Sequence, residues 1–149
     1  TNKVKYIAPF ISVIHSVDSL KLAKEIDKQA QKNSRVIDCL LEVHIAQEES
    51  KQGFSIDEVK ALMNGKVFSE LPNINIVGLM GMASFTDDLE SVRKEFRSLS
   101  TLFYNLKESV APQFKELSMG MSNDYIIAME EGSTLVRIGT YLFGQRNYN

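Results

Sequence analysis

The chain has 149 residues, 44% of them apolar, with a formal net charge of −2 and a single cysteine. A core of single-domain size is within reach, whereas interspersed acids and bases leave no electrostatic case for nucleic acid or an anionic membrane as partner, and no apolar run is long enough to span a bilayer. Cys39 lies in the apolar run 36–45; a disulfide framework is excluded, which fits a reducing cytoplasm, and the thiol reads as a buried small hydrophobe.

The opening Thr1-Asn-Lys-Val-Lys has no initiator methionine and no signal-peptide pattern, so it is expected to be a processed end or the back part of something longer. Residues 1–9 read as the tail of a helix or a connector. Phe10-Ile-Ser-Val-Ile-His-Ser16 is an apolar run ending in polar groups, which predicts a buried strand with His15 and Ser16 near its C-terminal end. Asp18 or Ser19 can cap a helix whose stripe is Leu20, Leu22, Ala23, Ile26 and Ala30, stopped by Asn33-Ser34. Residues 36–45 form a second apolar run, broken by Asp38, Glu42 and His44. After a polar loop, Ser55 and Glu58 fit a capping box for a helix reaching about Phe68. Pro72 and Asn73 turn the chain into a third strand, 74–80, followed by the loop Gly81-Met-Ala-Ser-Phe-Thr-Asp-Asp88.

Residues 89–109 are the longest helix candidate, with Val92, Phe96, Leu99, Leu102, Phe103 and Leu106 in helical period. Pro112 ends it, and 114–119 is the fourth strand. A short amphipathic segment, 123–131, closed by Gly132, leads to a fifth strand in the apolar run that begins at Thr134 and stops at Gly139-Thr140. The order is thus β–α repeated four times and ending on β, which means a parallel sheet covered by helices. Two architectures accept that order: an open doubly wound sheet, or part of a β/α barrel, for which five units are too few to close the usual ring of eight. A single domain is expected over 1–149.

The strongest local signal is a pair of loops, Gly120-Met-Ser122 and Gly139-Thr140, each ending an apolar strand in small and hydroxylated residues. Such loops can offer backbone N–H groups and hydroxyls to a phosphate, and a site after the last two strands is usual in β/α barrels, although ordinary turns use the same residues. Arg137 lies inside an apolar strand, so it either meets an acid of the chain or points at a ligand. His15 and His44 end successive strands; a structural role is the simpler reading of each. Asp87-Asp88 reads as a helix cap, Lys51 as an exposed loop residue, and Met80, Met82, Met119 and Met121 as lining or core. No metal-ligand spacing is present, and no metal is expected.

Taken together, His15-Ser-Val-Asp-Ser19, Glu49-Ser-Lys-Gln-Gly53, Gly78-Leu-Met80, Leu117-Ser-Met-Gly-Met-Ser122 and Gly132-Ser-Thr-Leu-Val-Arg-Ile-Gly-Thr140 with Phe143-Gly144 resemble the YggS/PROSC-type pyridoxal phosphate homeostasis family, related to the N-terminal barrel of alanine racemase. The resemblance runs through essentially the whole chain. It implies a β/α barrel with pyridoxal 5′-phosphate at the C-terminal mouth of its strands. Carried over, Ser122, Gly139 and Thr140 would hold the phosphate and Arg137 would face the pyridine nitrogen, with Met80, His15 and Ser16 along the same mouth. An arginine there keeps that nitrogen unprotonated and the ring a weaker electron sink. The family's Schiff-base lysine lies on the first barrel strand, and no lysine here ends an apolar strand. The resemblance therefore implies a partial barrel, about strands four to eight, lacking strands one to three and the anchoring lysine. No catalytic residue is expected in such a chain. Its implied role is cofactor binding and delivery to pyridoxal phosphate-requiring enzymes without robust turnover; a racemase-like enzyme fragment is the alternative. A barrel so opened is expected to self-associate or to pair with a missing N-terminal segment.

Overall fold

Five apolar runs become the strands of one sheet: β1 (Val13–Val17), β2 (Ile37–Glu42), β3 (Ile74–Gly81), β4 (Glu116–Met121) and β5 (Leu135–Arg137). The computed structural model describes residues 2–49 and 52–139. All neighbouring strands are parallel, and their order in space is their order in the chain. A doubly wound sheet must reverse its order at a switch point. This sheet never reverses, so of the two architectures left open the barrel type is the one adopted, as a five-stranded half-barrel.

The helices are α1 (Val4–Ile7), α2 (Leu20–Lys32), α3 (Ile56–Asn64), α4 (Leu89–Ser109) and α5 (Tyr125–Glu130). Local chemistry fixes several of their starts. Ser19 Oγ accepts from Leu22 N at 3.2 Å to cap α2. Ser55 and Glu58 make the reciprocal pair of the capping box at the start of α3, at 3.1 and 2.7 Å. Asp88 accepts from Ser91 N at 3.3 Å to start α4.

Because successive side chains of a strand alternate sides, the sheet has two unlike faces. The outer, convex side packs on the helices: Leu41, Leu79, Leu117 and Met119 meet Ile26, Phe96, Leu99 and Phe103 in one buried cluster. Each such side chain contributes roughly 1.5–3 kcal/mol. The inner, concave side carries only a small apolar group, Leu40, Val77 and Met80 with Val13 beside it.

Several expected boundaries move, for physical reasons. β1 begins at Val13, because Phe10 ends a helical turn and is 69% exposed. β2 stops at Glu42; beyond it Val43 bridges to Phe54 and His44 N donates to Phe54 O. α3 ends at Asn64 instead of running to Phe68, since Lys66 takes a left-handed φ of 53° and a 3-10 turn, Val67–Glu70, follows. β4 lies later than expected, since residues 111–115 are spent on a turn closed by Phe114 N to Ala111 O. Gly78 is required where β3 and β4 run closest: a side chain there would collide with the Glu116 carbonyl.

Candidate functional site

The C-terminal ends of the strands gather the chain's unusual polar groups. Arg137 ends β5, yet its side chain reaches past β4 to donate from Nη2 to the carbonyl of Gly81, the last residue of β3, at 3.1 Å. Among the described residues it forms no ion pair. Its Nε is buried without a hydrogen-bond partner. Burial pulls the guanidinium below its ordinary range, with the fields of Glu42 and Asp124 acting the other way. Of the two outcomes open for a strand-bound arginine, the direct acid partner is therefore not the one taken.

Glu42, at the end of β2, is 4% exposed and sits in register with Met80, which in turn is in register with Ser118 of β4. Burial, and the nearby Asp18, raise the Glu42 carboxyl above the usual range; Arg137 partly offsets this. Ser118 is fully buried with its Oγ unpartnered. His15, half-buried on β1, is held below the ordinary imidazole range first by burial and then by Arg137, while Glu116 opposes. Thus Arg137, His15 and Glu42 share one electrostatic neighbourhood at the strand ends.

The turn after β4 supplies the second part. Gly120 has φ of +101°, and a Cβ there would lie 2.6 Å from the Ala128 Cβ of α5 and 3.3 Å from Val136 Cγ1. Only glycine lets the turn wrap this tightly. Asp124 Oδ1 accepts from Met121 N at 2.7 Å, closing the turn around the half-buried Ser122. Ser133 Oγ, donor to one carbonyl at a time, lies 2.7 Å from Met119 O and 2.9 Å from Leu135 O, fastening β4 to β5 just below. Gly139 is exposed, with open space around its α-carbon. Thr140, Lys51, Phe143 and Gly144 lie outside the described residues. Met80 is 3% exposed on the concave side, and Ser16 is exposed on β1. Met119 belongs to the outer core, whereas Met82 and Met121 are exposed at 39% and 43%.

Three groups carry little signal in the sequence: Ser118 sits inside a motif, Glu42 interrupts an apolar strand, and Glu95 lies in a helix defined by its apolar members. Glu95 falls on the apolar stripe of α4, next to Phe96 and one turn from Val92 and Leu99, and is 7% exposed. A carboxylate on a buried helical stripe was the available signal. It accepts from Ser84 N at 2.9 Å. Cys39 is buried and its thiol is pushed up to about 12, first by burial, so it is inert as expected. An open cavity of about 400 Å³ lies at the opposite, N-terminal end of the sheet, lined by Met63, Phe68, Leu71 and Ile74. Among the described residues no group of three metal-ligating side chains exists and no helix is long and apolar enough to cross a membrane.

The family model described as the alanine racemase N-terminal domain matches residues 3–147. A pyridoxal phosphate homeostasis protein of Aquifex aeolicus is 45% identical over 148 residues, covering 99% of this chain and 64% of that protein. The protein of the same name from Mus musculus is 36% identical over 146 residues, covering 95% of this chain and 53% of its own length. The chain therefore spans less than two thirds of these relatives. Among solved structures, PipY of Synechococcus elongatus with pyridoxal phosphate bound superposes with a TM-score of 0.82 at 30% identity, over 96% of this chain and 66% of that one. Alanine racemase of Streptomyces lavendulae, at 17% identity, shares the fold with a TM-score of 0.70 over 96% of this chain and 37% of that one.

Proposed function

The chain belongs to the alanine racemase N-terminal domain family, in its YggS/PROSC-type pyridoxal phosphate homeostasis branch, and from that membership we propose that it binds pyridoxal 5′-phosphate and serves the handling of this cofactor as a carrier. The observation that carries the reading is the orphaned Arg137 Nε, buried at the strand ends on a guanidinium whose Nη2 donates to a carbonyl and not to an acid. A buried donor without an acceptor is costly, and a pyridine nitrogen is an acceptor of the right kind. When bound, the cofactor supplies an aldehyde that condenses reversibly with amines and a ring that withdraws electrons.

In this reading Arg137 disfavours a proton on the ring nitrogen, because two positive charges would face each other. Ser122 and Gly139, with Thr140, offer hydroxyl and backbone donors to the phosphate. α5, six residues long, brings little dipole of its own, so the turn itself makes the contact. Met80, buried on the concave side, would supply an apolar contact to the cofactor, with His15 and Ser16 along the same mouth. β1–β5 contain no lysine, so the covalent anchor would come from elsewhere in a longer chain. Among the described strands β1 and β5 each have a single neighbour; the open edges favour pairing with a second copy or with further strands. Light scattering that finds a stable monomer would contradict this last point.

The test is titration with pyridoxal phosphate followed by absorbance, then borohydride reduction and mass analysis, on this chain and on a form as long as its relatives. Saturable binding by both, with a reduced lysine adduct only in the longer form, is the expected result. A single-site adduct in this chain would put the anchor on one of its own lysines, Lys51 first. Absence of binding in both would end the cofactor assignment.

A further inference from the structure

Glu95 is a buried carboxylate that the cofactor reading leaves without a role. It is 7% exposed, on the side of α4 that packs against the sheet, and no cation pairs with it among the described residues. A carboxylate so placed is tolerated only when hydrogen bonds replace its water. Here both oxygens accept from one backbone donor, Ser84 N, at 2.9 and 3.4 Å. Ser84, itself buried, passes the link on: its Oγ accepts from Gln47 N at 2.8 Å, in the loop after β2. Phe85 N donates to Glu48 Oε1 of that same loop at 3.1 Å. The loop after β3 is thus pinned by three hydrogen bonds. Ser84 is held by Glu95, and Gly81, the last residue of β3, receives Arg137 at 3.1 Å. Gly81 lies against the core, where an added Cβ would come within 2.7 Å of Leu99 Cδ2.

We propose that Glu95 is a positioning residue: by fixing residues 81–84 it fixes the Gly81 carbonyl, and through that carbonyl the direction in which the Arg137 guanidinium faces the bound ring. The inference rests on the cofactor reading above. Without the Glu95 acceptor the loop keeps only its two ties to the loop after β2, Gly81 O is held less firmly, and among the described residues the guanidinium donates to no second acceptor. The charged and titratable groups around it, His15, Glu42 and Asp124, remain as they are in every variant.

The test compares the parent chain with Glu95→Gln, Glu95→Asp and Glu95→Leu, each loaded with pyridoxal phosphate. The readout is the pH midpoint at which the absorbance of the bound cofactor changes, measured beside the thermal midpoint. Gln keeps one oxygen for Ser84 N and is expected to keep the parent pH profile. Asp keeps the charge but falls short, and Leu removes the acceptor. Both are expected to raise the midpoint by roughly one pH unit, the scale on which one nearby charge acts. A merely structural Glu95 would lower the thermal midpoint in Leu and Asp and leave the pH profile where it was, and that result overturns the proposal. Should Leu fail to fold, the Asp and Gln pair decides alone. If the parent itself takes up no cofactor, the reading and the inference both fall; if it does and the profiles superimpose, only the inference falls.

Discussion

The two faces of the sheet are written in the same strands and do opposite work. On the convex side Leu41, Leu79, Leu117 and Met119 are fully buried against helices with complementary apolar stripes. On the concave side His15, Glu42, Ser118 and Arg137 are brought together with two of their polar atoms unsatisfied. A period of two lets one strand do both. The lesson is that burial alone does not separate core from site; whether each buried polar atom has a partner does.

That contrast can be pushed until it breaks. The largest expected effect lies on the convex side: Phe96→Ala, at a fully buried ring, should cost about 3–5 kcal/mol in chemical denaturation. On the concave side Arg137→Met should leave stability nearly unchanged or improved, because a desolvated charge is removed. Calorimetric titration should nevertheless show pyridoxal phosphate affinity reduced tenfold or more, about 1.4 kcal/mol. A loss of stability as large as that of Phe96→Ala would mean that Arg137 belongs to the core. Ser118→Ala is smaller still. Deleting an unpartnered hydroxyl should change the unfolding free energy by less than about 1 kcal/mol, and a larger loss would reveal a partner that the fold conceals.

The smallest effect concerns pH. His15 is held below its ordinary 6.5 in the folded chain, so the unfolded chain binds that proton more readily. Its contribution is therefore favourable above that value and is lost as pH falls through it. His15→Gln should flatten the decline in urea midpoint between about pH 7.5 and 5.5. Glu42 titrates in parent and variant alike, so its opposite shift cancels in the comparison. Parallel curves would show that His15 is free to charge in place.

Element types were legible because each rests on a local pattern. The Ser55–Glu58 box, the Ser19 and Asp88 caps and the stripe of α4 are present as expected. The reduction to a half-barrel was not decided by pattern, since sequential and reversed strand orders have identical local signals. At the site, Arg137 stood out because a charge interrupts an apolar strand. Its partner was invisible, because that partner is a backbone carbonyl 56 residues away in the chain. Glu95 was hidden for the related reason that a helical stripe is read by its apolar members. The boundaries differ for two kinds of reason: Val43 bridges to Phe54 across the loop after β2, whereas the left-handed Lys66 and the turn at 111–114 are local irregularities that apolar periodicity does not register.

Strand order carries one more consequence. Because every strand lies beside the one made just before it, no pairing has to wait for a distant part of the chain. Loops closed between neighbouring units stay short, which favours fast propagation over slow long-range search. On a ribosome, β2 can dock on β1 and β3 on β2 as each emerges. At every stage the newest strand presents an open hydrogen-bonding edge, and the next of these strands to leave the tunnel is the one that pairs with it.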